Sequence, residues 1–280
     1  MSMMVIEIFG IAILAGIVGS VLGLGGGIVV TPALTMLFGV DIKHAIGASI
    51  ISVIATSSGS AIAYIRDRIT NLRVGMFLEV ATTVGAITGA FIGGLMAPSV
   101  LYIIFGVLLM YSAYAMLKKT KQELPQEVPL HPVAARLNLQ GEYYDKALQK
   151  SVSYNVDRVY SGFGVMYGAG VISGLLGIGS GSFKVMAMDV FMKLPLKVSS
   201  ATSNFMMGVT GAASAGVYLF RGEINPFYAA PVALGVLIGA TVGARIMQRM
   251  KSRTIRKIFI PVMAYVAIQM ILQGLGIKLL

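Results

Sequence analysis

The chain has no cysteine, two histidines and few charges. Without cysteine there is no disulfide, no thiol nucleophile and no thiolate metal site. His44 and His131 are too isolated in sequence to suggest a metal cluster, and no metal site is expected. Asp, Glu, Lys and Arg make up 12% of the 280 residues, against 56% hydrophobic ones. The first stretch carries Glu7 but no Lys or Arg before Lys43, so it lacks the basic n-region of a signal peptide. The first apolar run is therefore expected to be retained.

What is present is hydrophobic length. Mean hydropathy is +0.83, and apolar runs near twenty residues recur along almost the whole chain. This is the pattern of a polytopic helical membrane protein, whose solvent is lipid. Eight apolar segments are read, at roughly 5–38, 44–65, 74–97, 99–117, 159–192, 197–220, 226–248 and 258–276. The net charge of +11 does not indicate nucleic acid, because the basic residues collect at segment ends, where they set membrane topology. The 34 glycines suit close helix packing in lipid.

Two glycine clusters interrupt the apolar runs. Gly23-Leu24-Gly25-Gly26-Gly27 returns as Gly177-Ile178-Gly179-Ser180-Gly181, a shift of 154 residues. The same shift carries Gly16 onto Gly170, Lys43 onto Lys197, Ser49 onto Ser203 and Thr56 onto Thr210. It also carries Tyr64 onto Tyr218, Asn71 onto Asn225, and Gly85 and Gly89 onto Gly239 and Gly243. A register kept this long marks an internal repeat. Residues 1–117 form the first repeat, 118–158 a connection, and 159–280 the second repeat.

The first segment of each repeat is too long for one crossing. Thirty-odd residues of helix span about 50 Å, against a hydrocarbon core of about 30 Å. The glycines divide each into a longer piece (5–22, 159–176) and a shorter one (28–38, 182–192), with Thr31-Pro32 suited to begin the short piece in the first half. Charge decides whether the chain crosses or turns back. If the broken segments cross, Lys and Arg divide evenly between the two sides, against the positive-inside rule. If they fold back as hairpins, Arg66, Arg68, Arg73, the 118–158 connection, Lys193, Lys197 and the run from Arg245 to Lys257 share one face. Lys43, Arg221 and Lys278 are left opposite, and Lys184 within the membrane. The expected fold is all-α and polytopic: two inverted repeats of four segments, the first of each a Gly-broken hairpin, with both termini non-cytoplasmic.

The connection opens with Lys118, Lys119 and Lys121, then runs through Pro125, Pro129 and Pro132. The alternation Val152, Tyr154, Val156 after a turn-rich stretch suggests a small cytoplasmic β-hairpin, with an unstructured linker as the other reading.

Candidate binding residues follow from the repeat. Glycine-interrupted segments at matching positions of two halves point to a transporter's binding site, and a helix start offers free N–H groups to an anion. Gly25, Gly26, Gly27, Gly179, Ser180, Gly181 and Ser182 form the two turning points, with Lys184 behind the second. A packing ridge of Gly19, Gly23 and Gly27 is the competing reading. Ser49, Thr56, Ser203, Asn204 and Thr210 add hydroxyls and an amide from the next segments, five groups that also serve as backbone or interhelical bonds in membranes. Lys184 has no carboxylate at i±3 or i±4. Glu79 and Asp189 are candidates for a coupling proton, each near enough to a loop to snorkel toward the interface. Arg245 reads as a topology anchor.

The runs Gly170-x-x-Ser-Gly-Leu-Leu-Gly-Ile-Gly-Ser-Gly, Leu194-Pro-Leu-Lys197, Ala-Thr-Ser203-Asn204 and Arg221-Gly-Glu-Ile-Asn225 resemble the sulfite exporter TauE/SafE family. The first half, with Gly25-Gly26-Gly27, Pro32, Lys43 and Ser49, is similar. The resemblance implies a secondary transporter of small sulfur-containing anions such as sulfite, a sulfonate or sulfoacetate, with Ser180 where the family more often has glycine. The chain has no ATP-binding motif, so the expectation is a carrier working by alternating access and driven by an ion or substrate gradient, without a cofactor. An anion channel or a carrier of non-sulfur carboxylates is the alternative. An enzyme is not expected, since neither His lies in a membrane segment and no Ser–Lys or paired-Asp motif occurs.

Overall fold

The computed structural model describes residues 2–117, 128–129 and 131–277. The apolar runs form α1 (Ser2–Leu22), α2 (Gly27–Leu37), α3 (Ile42–Arg66), α4 (Leu72–Leu95) and α5 (Pro98–Leu117) in the first half. The second half holds α7 (Val159–Leu176), α8 (Gly181–Met186) running into a π-helical turn (Ala187–Phe191), α9 (Leu196–Phe220), α10 (Pro226–Arg249) and α11 (Ser252–Gly274). Between them lie α6 (Pro132–Arg136) and the antiparallel pair β1 (Gly141–Asp145) and β2 (Lys150–Tyr154). Among the described residues, five helices are long and apolar enough to cross a membrane: α1, α3, α4, α7 and α10. The chain is a polytopic helical protein.

Element boundaries keep the sequence register. α3 and α9, and likewise α4 and α10, start and stop 154 residues apart, and α1 and α7 end at Leu22 and Leu176. The caps repeat too: the Asn71 side chain accepts from the Val74 N–H, and that of Asn225 from the Phe227 N–H.

Packing exchanges partners between the halves. α1 lies on α10 and α7 on α4, while α3 meets α9 and α5 meets α11. The α1–α10 and α4–α7 seams are backbone to backbone: a methyl group on Gly239 or Gly89 would run into the carbonyl oxygen of Ile13 or Val171. Between lipid-embedded helices such close approach supplies the dispersion contact that the hydrophobic effect does not.

The short helices turn back along the long ones. Val30, Leu34 and Phe38 line one small gap with Ile8 and Ala12 of α1. In the second half the Asp157 N–H donates to Met192 O at 3.2 Å, and Met192 sits against Gly162 near the start of α7. The glycines fit this turn: Gly23 (φ +69°) and Gly177 (φ +61°) close α1 and α7 in the left-handed region, where a side chain is strained. The packing-ridge reading of Gly19, Gly23 and Gly27 therefore fails, since Gly23 is outside any helix and Gly19 packs on the backbone of Gly25 and Gly26 in its own loop.

A second correction concerns Thr31-Pro32, which does not begin α2. That helix starts at Gly27 and holds Pro32 inside it. A tertiary bond overrides the local signal: Gly26 N–H donates to Thr56 Oγ1 at 3.0 Å, and Gly26 O accepts from the Val29 and Val30 N–H groups.

The connection is folded where it is described, and it packs on one end of the bundle. Tyr143, Val152, Tyr154 and Val156 are buried in the main core. Lys197 at the start of α9 pairs with Asp145 at 2.8 Å, both almost wholly buried. Lys146 bridges Asp67 after α3 (2.7 Å) and Gln248 at the end of α10 (2.9 Å), and Asn71 before α4 donates to Leu139 O at 2.8 Å. The ends of four helices thus meet the hairpin. Lys118, Lys119, Lys121 and Lys278 lie outside the described residues.

Candidate functional site

The two glycine loops meet in the middle of the molecule. A methyl group on Gly181 would run into Gly23 O and Leu24, and one on Gly27 into Ser49 Oγ, with Ile178 Cα at 3.2 Å. Val53 and Met207, themselves 154 residues apart, touch both Gly25 and Gly179. Among the described residues, the N–H groups of Gly25, Gly27, Gly179 and Gly181 find no acceptor. A start of helix leaves such donors free, and they carry the positive end of the helix dipole.

Serines cross-link the loops. Ser49 Oγ donates to Gly177 O at 2.9 Å, and Ser203 Oγ donates to Gly23 O at 2.9 Å, each reaching the loop of the other half. Tyrosines tie down the long helices within each half: Tyr64 OH donates to Ser20 O at 3.0 Å and Tyr218 OH to Gly174 O. Asn204 Nδ2 also donates to Ser20 O, leaving its Oδ1 buried without a partner. In this state Ser49 and Ser203 hold the loops, and Asn204 holds the end of α1.

The symmetry breaks around the threonines. Thr56 accepts the loop N–H of Gly26 and donates to Ser52 O. Thr210, its counterpart, accepts from Lys184 Nζ and donates to Glu79 Oε1 at 2.7 Å. Thr83 Oγ1 donates to the same Glu79 oxygen at 3.0 Å, while Oε2 is buried and unpartnered. Lys184 is fully buried and Glu79 is 7% exposed, so Lys184, Thr210 and Glu79 form one internal polar cluster.

Sequence reasoning missed that cluster. It finds no carboxylate at i±3 or i±4 of Lys184 and leaves Glu79 near enough to a loop to snorkel, but the Thr83 and Thr210 hydroxyls hold the carboxylate inside. Asp189 does not snorkel either: it is 3% exposed, in the π-helical turn. Ser180 sits in the left-handed region at φ +47°, with its hydroxyl buried and unpartnered. That backbone accounts for glycine being the easier residue at this position. The Ser182 side chain lies outside the described residues. The tyrosines at 64 and 218 were visible as a repeated pair, and that pairing was the signal for their role. Asp145 offered no comparable local pattern.

The sequence profile described as sulfite exporter TauE/SafE matches residues 8–270. The chain belongs to the sulfite exporter TauE/SafE family. It is 29% identical to the probable membrane transporter protein YunE of Bacillus subtilis (strain 168), over 98% of this chain and 99% of that protein. It is 25% identical to the probable membrane transporter protein YdhB of the same organism, over 83% of this chain and 86% of that protein. A third relative, the probable membrane transporter protein ORF9 of Sinorhizobium sp, is 23% identical over 94% of this chain and 91% of that protein. No solved structure matches the chain significantly. The family and the apolar helices make this an integral membrane protein of a transporter family, not of an enzyme family.

Proposed function

We propose that the chain is a secondary carrier for a small sulfur-containing anion such as sulfite, a sulfonate or sulfoacetate. The observation that carries this reading is the meeting of two glycine loops, one from each half, beside the buried Lys184. Their free N–H groups suit an oxyanion, and glycine lets it approach the backbone. As the loops separate, Ser49 and Ser203 exchange loop carbonyls, and Asn204 the Ser20 carbonyl of α1, for the anion, with Ser180 adding a hydroxyl. Thr56 and Thr210 line the same walls. The repeats are inverted about this point, and rocking of one half against the other opens it to each face in turn. In this topology the hairpin end is cytoplasmic and both termini are outside. The repeated register and the gathering of basic residues at the hairpin end support that arrangement.

The test is uptake into proteoliposomes across a panel of sulfite, thiosulfate, sulfoacetate, sulfate and simple carboxylates. The expected result is saturable uptake of one or more sulfur anions, lost in Lys184→Ala. Parent-like uptake by that variant would remove Lys184 from the site, and flux linear in concentration would favour a channel.

A further inference from the structure

Lys184 and Glu79 have no charged counterparts in the other half. Moving each by 154 residues lands on Val30 and Ala233. The fold therefore does without ions at the equivalent places, where only the threonine recurs, as Thr56. A buried ion pair is weak evidence of stabilisation, because apolar residues of similar volume commonly serve as well. Ionisable groups kept inside a membrane bundle mark ion paths and proton relays.

The geometry is that of a shared cation. Thr210 Oγ1 stands between Lys184 Nζ and Glu79 Oε1, accepting from one and donating to the other. With Glu79 ionised, the ammonium already has its counter-charge, and an arriving anion meets a carboxylate one hydroxyl away. With Glu79 protonated, the ammonium is free for an anion, and Oε2 becomes a donor. That oxygen is the one now buried without a partner. A carboxylate accepts only, whereas a carboxylic acid has one O–H to give.

The other charges nearby do not offer the same exchange. α7, packed on α4, carries Tyr160 and Tyr167, both exposed. α9 brings Lys197, bonded to Asp145. Arg73 lies on the first turn of α4 itself and bonds Asn138 O. Asp189 is on the segment that bears Lys184, but the hydroxyl to which Lys184 donates, that of Thr210, donates in turn to Glu79.

We propose that Glu79 is the exchangeable counter-ion of Lys184, and that each anion bound by Lys184 is accompanied by one proton bound at Glu79. On the open face, water delivers H⁺ to Oε2, an O–H bond forms, and the substrate anion replaces the carboxylate as partner of Lys184. On the other face the anion leaves, Oε2 returns its proton to water, and the ion pair re-forms through Thr210. The proposal rests on the reading of this chain as an anion carrier, and makes it a proton symporter.

The test uses parent and Glu79→Gln protein in proteoliposomes containing a pH-sensitive dye, with the membrane potential clamped at zero. The probe is radiolabelled thiosulfate, which stays deprotonated near neutral pH, so a proton gradient acts through the protein. Coupling of one proton per anion lets a one-unit gradient, alkaline inside, hold an about ten-fold accumulation. The expected result is that accumulation in the parent, with acidification of the lumen on thiosulfate addition. Glu79→Gln, which retains an acceptor for Thr83 and Thr210, should exchange labelled for unlabelled thiosulfate yet accumulate none and carry no protons. Thiosulfate exchange without acidification in the parent overturns the coupling and leaves the carrier reading standing; this arm does not depend on the variant folding. Equal acidification in both proteins moves the proton away from Glu79. Absence of exchange in the parent for thiosulfate and for every other sulfur anion of the panel overturns the sulfur-anion carrier, and the coupling falls with it.

Discussion

At the scale of single residues, Ser180 and its near neighbours separate what holds the loops from what is available to a ligand. The Ser180 hydroxyl is buried and bonds nothing, whereas Ser49 and Ser203 each bond a glycine carbonyl of the opposite loop. Removing an unpartnered hydroxyl lifts a desolvation penalty, so Ser180→Ala should raise stability by about 1 kcal/mol. Removing Ser49 or Ser203 strands a carbonyl, at a cost of about 1–3 kcal/mol. Thermal unfolding of the purified variants distinguishes the two outcomes. Transport should invert the order for Ser180→Ala: a lost hydroxyl–anion bond worth about 1 kcal/mol raises KM about five-fold although the protein is more stable. A Ser180→Ala variant that gains stability and keeps the parent KM would show the hydroxyl to be idle. Glycines divide in the same way. Gly10 has open space around it, so Gly10→Ala should leave stability unchanged or gain up to about 1 kcal/mol. Gly177→Ala meets Ile46 in a left-handed turn and should lose at least about 1–2 kcal/mol.

At the scale of elements, the hairpin carries the clearest electrostatic dependence. Burial works against the Asp145 carboxylate, but the Lys197 hydrogen bond and charge outweigh it, aided by the N–H groups of Leu148 and Ala147. The net effect holds its carboxyl below the ordinary range, so the ion pair contributes stability above about pH 4, an ordinary Asp value. That contribution is lost as pH falls through the depressed native value. Exchange of the hairpin amides, corrected for intrinsic rate, should therefore accelerate only in acid. Asp145→Asn removes the dependence and leaves Lys197 buried without its counter-charge, which costs about 3–5 kcal/mol; adding Lys197→Met should recover most of it. If the single and double variants exchange alike, the pair does not fasten the hairpin. How much of this was readable in the sequence follows from range. Glycine breaks and helix lengths are written in consecutive residues and repeat at a fixed shift, so they were legible; Asn71 and Asn225 stood out as a repeated pair, without their capping role. Period-two residues also marked strand β2. The Lys197–Asp145 and Lys184–Glu79 encounters join distant segments, and neither partner carries a local pattern that names the other. Pro32 misled for the related reason that a long-range bond from Gly26 to Thr56 sets where α2 begins.

At the scale of the whole molecule, the turned-back short helices decide which helix ends lie together. Were each broken segment to cross once, the 66–73 and 245–257 stretches would face opposite sides. Instead Lys146 touches both Asp67 and Gln248, so these two helix ends lie at one end of the bundle. Phe220, at the far end of the 25-residue α9, belongs to the other end, about 37 Å away. The proposed orientation, with the hairpin end cytoplasmic, rests on the positive-inside rule and is open to a direct test. Because the chain has no cysteine, a single introduced one reports its own side with no background. Arg68, Lys251 and Phe220 are all exposed and suited to the purpose. A membrane-impermeant maleimide applied to intact cells should label Phe220→Cys and spare Arg68→Cys and Lys251→Cys until the membrane is opened. Labelling of all three in the reverse sense would keep the arrangement of helices and invert its orientation. A split between Arg68→Cys and Lys251→Cys would contradict the arrangement itself, since no orientation of a bundle in which Lys146 spans both helix ends puts them on different sides.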